Sequence, residues 1–114
     1  MIVRLVSLKI HPDKVEEFKQ FFDTIYDRIR EAQGCLSLRV VADLEGLGEF
    51  FTVSEWESPA ALEAYKNSAF FQETWPRVKT FLRDRPWAQS FHVLLDEKRK
   101  ALTGRNGKAD YAPG

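Results

Sequence analysis

The first ten residues alternate between more apolar and more polar positions, and this alternation predicts a β-strand. Successive side chains of a strand point to opposite faces of its sheet. The more apolar face carries Ile2, Arg4, Val6, Leu8 and Ile10. The other face carries Val3, Leu5, Ser7 and Lys9. We therefore expect the first set to meet the helices of the fold.

After His11-Pro12 the apolar residues change to helical spacing. They recur three or four positions apart, at Val15, Phe18, Phe22, Ile25 and Ile29. This spacing places them on one face and predicts an amphipathic helix over about residues 13–32. Asp13 and Glu16 form a predicted capping pair at its start, and Gly34 stands where a glycine that ends a helix belongs.

The remainder of the chain predicts three more strands and a broken helical region. Residues 35–43 and 50–56 read as an antiparallel hairpin around the glycine-containing turn 44–48. Ser58 and Pro59 open one helix and Ser68 a second. Pro76 predicts a break or kink in that second helix, because proline removes a backbone donor. Residues 87–95 read as the last strand.

The resulting order is β-α-β-β-α-β, which is the ferredoxin-like arrangement of the α+β class with an antiparallel sheet. We assign residues 1–95 to this domain. Residues 96–114 contain three glycines, one proline and scattered charges, with little apolar periodicity, so they are predicted to be a flexible C-terminal tail.

Helices on one side of a four-stranded sheet leave its other face uncovered. That face carries Val3 and Leu5 together with apolar residues of the other strands. An uncovered apolar face of this size usually marks an interaction site, and two such sheets bury it when they pack face to face. The sequence therefore predicts a homodimer formed through the sheet.

Composition narrows the class of protein. The chain has 114 residues, which suits one domain, and its 17 basic and 17 acidic residues balance. A nucleic-acid-binding surface would need a basic excess, so we expect no nucleic-acid partner. A single cysteine, Cys35, indicates a reducing compartment. No stretch has the length of a membrane span or the pattern of a signal peptide, so a soluble cytoplasmic protein without a membrane partner is expected.

Several familiar chemical motifs are missing from the sequence. It has no glycine-rich phosphate loop, no Cys-x-x-Cys and no Gly-x-Ser-x-Gly. The two histidines, His11 and His92, are far apart, and with Cys35 they make a poor set of metal ligands. We therefore expect neither a metal site nor a flavin or nicotinamide cofactor.

One stretch does carry a family resemblance. A strand at residues 50–54 ends in Glu55-Trp56-Glu57, and helix starts follow at Ser58-Pro59 and Asn67-Ser68. This succession resembles the antibiotic biosynthesis monooxygenase family, over roughly residues 1–95. The resemblance implies a dimeric α/β barrel and a pocket between sheet and helices. It also implies cofactor-independent monooxygenation of a small aromatic or quinol-type substrate.

Such chemistry needs aromatic walls, hydrogen-bond donors and a base. We predict His92, an imidazole on the last strand, as the base and Tyr65 as a second catalytic residue. The predicted substrate-binding residues are Trp56, Trp75, Phe22, Tyr26, Phe71 and Arg4. Arg39 is a second strand arginine that could stabilise an oxyanion. Each of these side chains has an alternative role in core packing or in a salt bridge, and Cys35 is expected to be a buried, inert thiol.

Two other functions fit the same fold. One is a non-catalytic dimeric protein that binds a small molecule or serves a stress response. The other is the haem-degrading branch of the superfamily, whose pattern has an asparagine, a tryptophan and an iron-binding histidine at three places. This chain has Val6, Tyr65 and Trp75 there, so the resemblance to that branch is weak.

Overall fold

The computed structural model of the chain describes residues 1–97. The predicted flexible tail therefore lies almost entirely outside the described residues. Between residues 1 and 92, four strands and three helices follow one another: β1 (Ile2–Lys9), α1 (Val15–Arg30), β2 (Cys35–Ala42), β3 (Glu49–Trp56), α2 (Pro59–Lys66), α3 (Ala69–Lys79) and β4 (Trp87–His92). A single 3-10 turn, Pro12–Lys14, precedes α1.

The four strands form one antiparallel sheet in the order β2-β3-β1-β4. The predicted ferredoxin-like α+β fold is confirmed. Strand β1 lies in the middle of the sheet, with Ile2 opposite both Trp56 of β3 and His92 of β4. The first and last strands of the chain are thus neighbours, and β2 and β4 form the two edges.

Helix α1 covers the sheet with the predicted apolar stripe. Phe18, Phe22, Ile25 and Ile29 are all buried, and the ring of Phe18 lies 5.1 Å from that of Phe50 on β3. The predicted capping pair is wrong, because α1 starts after Lys14 without any side-chain cap. The 3-10 turn instead brings the Lys14 amide to the carbonyl of His11, at 2.9 Å, so a backbone bond replaces the side chain.

The sequence predicts a break or a kink at Pro76; helix α3 is continuous through it, so no break occurs there. Proline lacks the amide that would bond to the carbonyl of Gln72, four residues earlier. Both Pro76 and Gln72 are exposed, so water can satisfy the free carbonyl. The predicted helix starts are confirmed: Ser58 Oγ accepts the Ala61 amide and Ser68 Oγ accepts the Phe71 amide.

Gly34 connects three elements at one end of the sheet. Its φ is +86°, a conformation that L-residues rarely adopt. Its carbonyl accepts the Glu57 amide at 2.8 Å, which ties the start of β2 to the end of β3. A Cβ atom on Gly34 would lie 2.5 Å from the Cβ of Ala61 on α2. Glycine therefore allows both the turn and the close approach of α2.

The outer face of the sheet, opposite the helices, carries both apolar and polar side chains. Leu5, Val53 and Phe51 share it with residues of the edge strands, and no helix within residues 1–97 covers it. Trp87 and Phe91 on β4 are 47% and 41% exposed, and Val41 on β2 is 39% exposed. These apolar side chains lie on the face that the alternation in β1 predicted, where polar residues such as Ser7, Glu55 and Gln89 separate some of them.

Replacing Gly34 by alanine should destabilise the protein by about 2–5 kcal/mol, as measured by urea unfolding. The positive φ accounts for about 1–2 kcal/mol and the clash with Ala61 for about 1–3 kcal/mol. Gly46 is a matched control, because its φ is also positive, at +68°, but no atom lies within 4 Å of an added Cβ. Gly46→Ala should show the conformational cost alone. Equal losses for the two variants would contradict the proposed close contact.

Candidate functional site

A cavity lies between the inner face of the sheet and the helices. Its volume is about 60 Å³, which is room for about two waters at roughly 30 Å³ each. Its walls come from β1, β2, β3 and all three helices. They consist of Arg4, Val6, Leu8, Phe22, Ile25, Ile29, Leu38, Thr52, Ser54, Trp56, Tyr65, Phe71, Thr74, Trp75 and Val78.

Strand pairing explains where the space arises. On β3 the large side chains of Phe50 and Trp56 face the helices at the two ends of the strand, and the smaller Thr52 and Ser54 lie between them. Arg4 on β1 stands directly opposite Ser54. The middle of the inner face therefore lacks large apolar side chains, and the helices bridge over it.

Four aromatic rings form one wall of the cavity. Trp56 is 1% exposed, and its indole Nε1–H donates to Ser54 Oγ at 2.9 Å. The Tyr65 ring lies 4.9 Å from Trp56 and 5.2 Å from Phe71 between centroids. Phe71 stacks on Trp75 at 6.1 Å. Trp56 is at the end of β3, Tyr65 is on α2, and Phe71 and Trp75 are on α3. The rings present apolar faces to the cavity.

Arg4 is a cation with no counter-charge in this cavity. It is half-buried, and within residues 1–97 it has neither an ion pair nor a hydrogen bond from its side chain. Burial lowers the pKa of Arg4 below its usual value, and the nearby Tyr65 acts in the opposite direction. An arginine remains charged at neutral pH nonetheless, so the cavity offers a strong site for an anion.

Tyr65 supplies the second polar group. Its hydroxyl makes no hydrogen bond to another described residue. Burial raises the pKa of Tyr65 to about 12, and Arg4 partly opposes that rise. The phenol is therefore protonated at neutral pH, where it acts as a hydrogen-bond donor and not as a base.

The structure brings most of the predicted site residues together. Six of the eight line the cavity: Arg4, Phe22, Trp56, Tyr65, Phe71 and Trp75. Tyr26 lies outside it, because it is on the side of α1 that faces β2. Its hydroxyl donates to the carbonyl of Leu38 at 2.6 Å, and it lines a separate open cleft at the β2 edge.

His92 is the other predicted residue that the structure does not place at the cavity. It is the last residue of β4 and is exposed. It does share the helix-facing side of the sheet with its partner Ile2. However, β4 is an edge strand, whereas the cavity lies over β1 and β3 in the centre. Arg39, on β2, is exposed and does not line the cavity either.

Sequence reasoning missed three polar cavity residues, Thr52, Ser54 and Thr74. A signal for two of them was present: Thr52 and Ser54 are the polar positions on the inner side of β3, between Phe50 and Trp56. Thr74 follows Phe71 by three positions on α3, so both face the same way. A small polar residue at a position that faces the helices leaves space, so it can indicate a cavity between the sheet and the helices.

The cysteine and the possible metal ligands of residues 1–97 form no reactive-thiol site and no metal site. Cys35 is buried, and burial raises its pKa despite the nearby Arg30, so the thiol is neutral and poorly reactive. Among residues 1–97, no cluster of three His, Cys, Asp or Glu side chains could hold a metal ion. The helices in the same part of the chain are all too short or too polar to cross a membrane.

The family model of antibiotic biosynthesis monooxygenases matches residues 1–77. The chain belongs to the antibiotic biosynthesis monooxygenase family. The matched segment contains β1, α1, β2, β3, α2 and most of α3, and with them every side chain of the cavity except Val78. The family resemblance read from the Glu55-Trp56-Glu57 segment is thus confirmed.

Two curated relatives match over part of their length. A 42.8 kDa protein in the whiE locus of Streptomyces coelicolor is 32% identical over 83 residues, which cover 72% of this chain and 21% of that protein. The uncharacterised protein sll1783 of Synechocystis sp. is 31% identical over 72 residues, 63% of this chain and 49% of that protein. The chain thus spans half or less of both relatives.

Solved structures share the fold. A structure named antibiotic biosynthesis monooxygenase superposes with a TM-score of 0.76 at 18% identity, covering 83% of this chain and 100% of the other. A conserved protein from Methanosarcina mazei superposes with a TM-score of 0.74 at 22% identity, covering 80% and 91% of the two chains. At these sequence identities, the similarity to solved structures establishes only that this chain has the same fold.

Tyr65 should titrate later than an exposed tyrosine. The difference in near-ultraviolet phenolate absorbance between the wild type and Tyr65→Phe should give a pKa of about 12 instead of 10. Because the folded-state pKa is raised, Tyr65 contributes stability below pH 10 that is lost as the pH rises towards 12. Unfolding curves of Tyr65→Phe should lack this loss. A difference titration centred at 10 would contradict the burial of the phenol.

Proposed function

We propose that this protein is a cofactor-independent monooxygenase that oxidises a small aromatic or quinol-type substrate in the cavity. Family membership supports monooxygenase chemistry, and the name of a structural neighbour is consistent with it. The observation that carries the proposal is the unpaired, half-buried Arg4 beside the neutral phenol of Tyr65, within aromatic walls. The positive charge, the hydrogen-bond donor and the aromatic walls have the chemistry to bind a planar ring with one negatively charged oxygen.

In this proposal the substrate supplies the electrons. Loss of a proton gives a phenolate or enolate, whose oxygen Arg4 stabilises by charge and Tyr65 by a hydrogen bond. The anion transfers an electron to dioxygen, and the two radicals combine to a peroxide. Loss of water from the peroxide converts a CH₂ group into a carbonyl. One oxygen atom enters the substrate and the other leaves as water, so no external reductant is needed.

The proton must leave without a strong base in the wall of the cavity. None of the side chains that line it is a His, Asp, Glu or Lys. The positive charge of Arg4 lowers the pKa of a bound phenol or enol instead, so the proton can pass to water. His92 has no part in this mechanism, since it is exposed on the edge strand.

The same lack of a base favours a second candidate function. A cavity with hydrogen-bond donors and aromatic walls can bind an aromatic anion without transforming it. The protein would then be a dimeric small-molecule-binding module. Oxygen consumption distinguishes the two functions, because binding alone consumes none. Haem degradation has less support, since Val6, Tyr65 and Trp75 all line the cavity and none can supply the iron-binding histidine.

Arg4→Gln should lower kcat/KM by about 10²–10³-fold, the loss seen when one donor to a reacting oxyanion is removed. The measurement is oxygen uptake with a panel of electron-rich quinols and anthrones, with a chelator present and no flavin added. Arg39→Gln is the matched control, because it removes an exposed strand arginine that does not line the cavity. Arg39→Gln should keep the wild-type rate.

Two outcomes would contradict this prediction. If Arg4→Gln oxidises a substrate as fast as the wild type, Arg4 does not stabilise the reacting oxygen. If the wild type takes up oxygen no faster than the spontaneous reaction across the panel, the binding function is favoured. Thermal unfolding of both variants checks their folding; Arg4→Gln should be no less stable, since it removes a buried charge without a partner.

We also propose that the protein forms a homodimer through the outer face of the sheet, in the cytoplasm. The apolar side chains on this face, among them Val53, Trp87 and Phe91, support the homodimer, because exposed apolar surface favours association. The single buried cysteine supports the cytoplasmic location, since it suits a reducing compartment. The cavity lies on the opposite side of the sheet, so each subunit carries a complete site.

Phe91→Asp combined with Trp87→Asp should convert the dimer into a monomer in sedimentation velocity. Both side chains are substantially exposed in the single chain, so the charges would be buried only on association. Leu44→Asp is the control, because this fully exposed loop residue lies outside the strands. An unchanged sedimentation coefficient for the double variant would contradict the interface.

A further inference from the structure

Two cation–π contacts connect helices α1 and α3. The guanidinium of Arg28 on α1 lies 4.4 Å from the ring centroid of Phe70 on α3. The guanidinium of Arg77 on α3 lies 4.7 Å from the ring of Phe21 on α1. In both helices the phenylalanine precedes the arginine by seven positions, or about two turns. The two contacts therefore have the same chemistry at opposite ends of an antiparallel helix pair.

The surroundings of the two contacts differ. Both Phe21 and Phe70 pack against the core, and the ring of Phe21 also lies 5.6 Å from that of Phe81. Only the Arg28–Phe70 contact borders an open groove of about 320 Å³, lined by Arg28, Ala32, Gln33, Ala64, Tyr65, Ser68 and Phe70. Arg77 and Phe21 line neither this groove nor the cavity.

The groove and the cavity adjoin at Tyr65, which lines both. The groove contains one charged side chain, that of Arg28, and no acidic one. Within residues 1–97, Arg28 forms neither an ion pair nor a side-chain hydrogen bond. Asp27 and Glu31, its acidic neighbours in sequence, do not line the groove. Its N–H groups are therefore available to an anion, while the contact with Phe70 fixes the plane of the guanidinium.

We propose that this groove is the outer half of the ligand site and that Arg28 selects ligands with a carboxylate. The aromatic ring of the ligand occupies the cavity with its oxygen towards Arg4. The carboxylate extends past Tyr65 and accepts hydrogen bonds from Arg28. A planar guanidinium suits a carboxylate because two parallel N–H···O bonds can form. This proposal rests on the proposed function and narrows its substrate class to aromatic acids.

The test compares two ligands by isothermal titration calorimetry at neutral pH. One is p-coumarate, a phenol whose carboxylate lies at the end of a short extended chain, and the other is its neutral amide. The wild type should bind the carboxylate about fivefold more tightly, the value of a partly exposed ion pair. Arg28→Gln should abolish this preference and bind the amide unchanged. Arg77→Gln, the matched cation–π variant, should keep the preference.

Equal affinities of the wild type for the two ligands would overturn the proposal. So would an equal loss of preference in Arg77→Gln and Arg28→Gln, because that would show a long-range effect of charge. Failure of both ligands to bind would also overturn it. The proposed oxygenase function is judged separately by oxygen uptake, so a preference that depends on Arg28 in a protein without oxygenase activity would leave this inference intact.

Discussion

The sheet is covered by helices on one side only, and most other features of the molecule depend on this constraint. Inward positions on β1 and β3 must fill the space under α1, α2 and α3, while outward positions are covered by no helix within the described chain. The same alternation in β1 that buries Ile2, Val6 and Leu8 therefore leaves Val3 and Leu5 on the opposite surface. The internal cavity and the proposed dimer interface arise from the two faces of one strand pair.

Arg4 is the charged residue among the otherwise apolar inward positions of β1, and its partial burial lowers the free energy of unfolding. A half-buried cation without a partner loses hydration that nothing in the cavity replaces. The same shielding from water that lowers the pKa of Arg4 raises that of Tyr65. Both shifts disfavour the charged form of the side chain inside the cavity. A ligand with a negatively charged oxygen would reverse this penalty, so the free energy that folding loses at Arg4 becomes available for binding.

Residues with strong local patterns were predictable from the sequence. The stripe from Phe18 to Ile29 and the inner face of β1 follow from spacing alone. By contrast, the residue pattern around His92 indicated a strand but not the position of that strand in the sheet. Its place at the edge follows from pairing with β1, 90 residues away at Ile2. Local patterns contain no information on such long-range pairing, and a function assigned to a strand residue depends on it.

The cavity itself was only partly predictable, for a different reason. Large aromatic residues such as Trp56 and Trp75 attract attention in a sequence, whereas space arises where large side chains are absent. Thr52 and Ser54 do not stand out in the sequence. Their place at the cavity follows from the strand register, which puts Arg4 opposite Ser54. Asp13 does not cap α1, because the Lys14 amide bonds to the His11 carbonyl instead. Helix α3 continues through Pro76, where Gln72, the residue that loses its backbone partner, is exposed to solvent.

The polar groups of the cavity limit the kind of chemistry that it can support. Arg4 and Tyr65 stabilise negative charge, and no lining side chain accepts a proton readily at neutral pH. A site of this kind cannot deprotonate a weakly acidic substrate; it can only favour the anion of a substrate that is already acidic. Reactivity therefore has to come from the ligand, whose acidity and ease of oxidation decide whether the bound anion reacts with dioxygen. Under the proposed function the cavity would act as an oxygenase site for an electron-rich anion and as a binding site for any other, so the two candidate functions differ in the ligand more than in the protein.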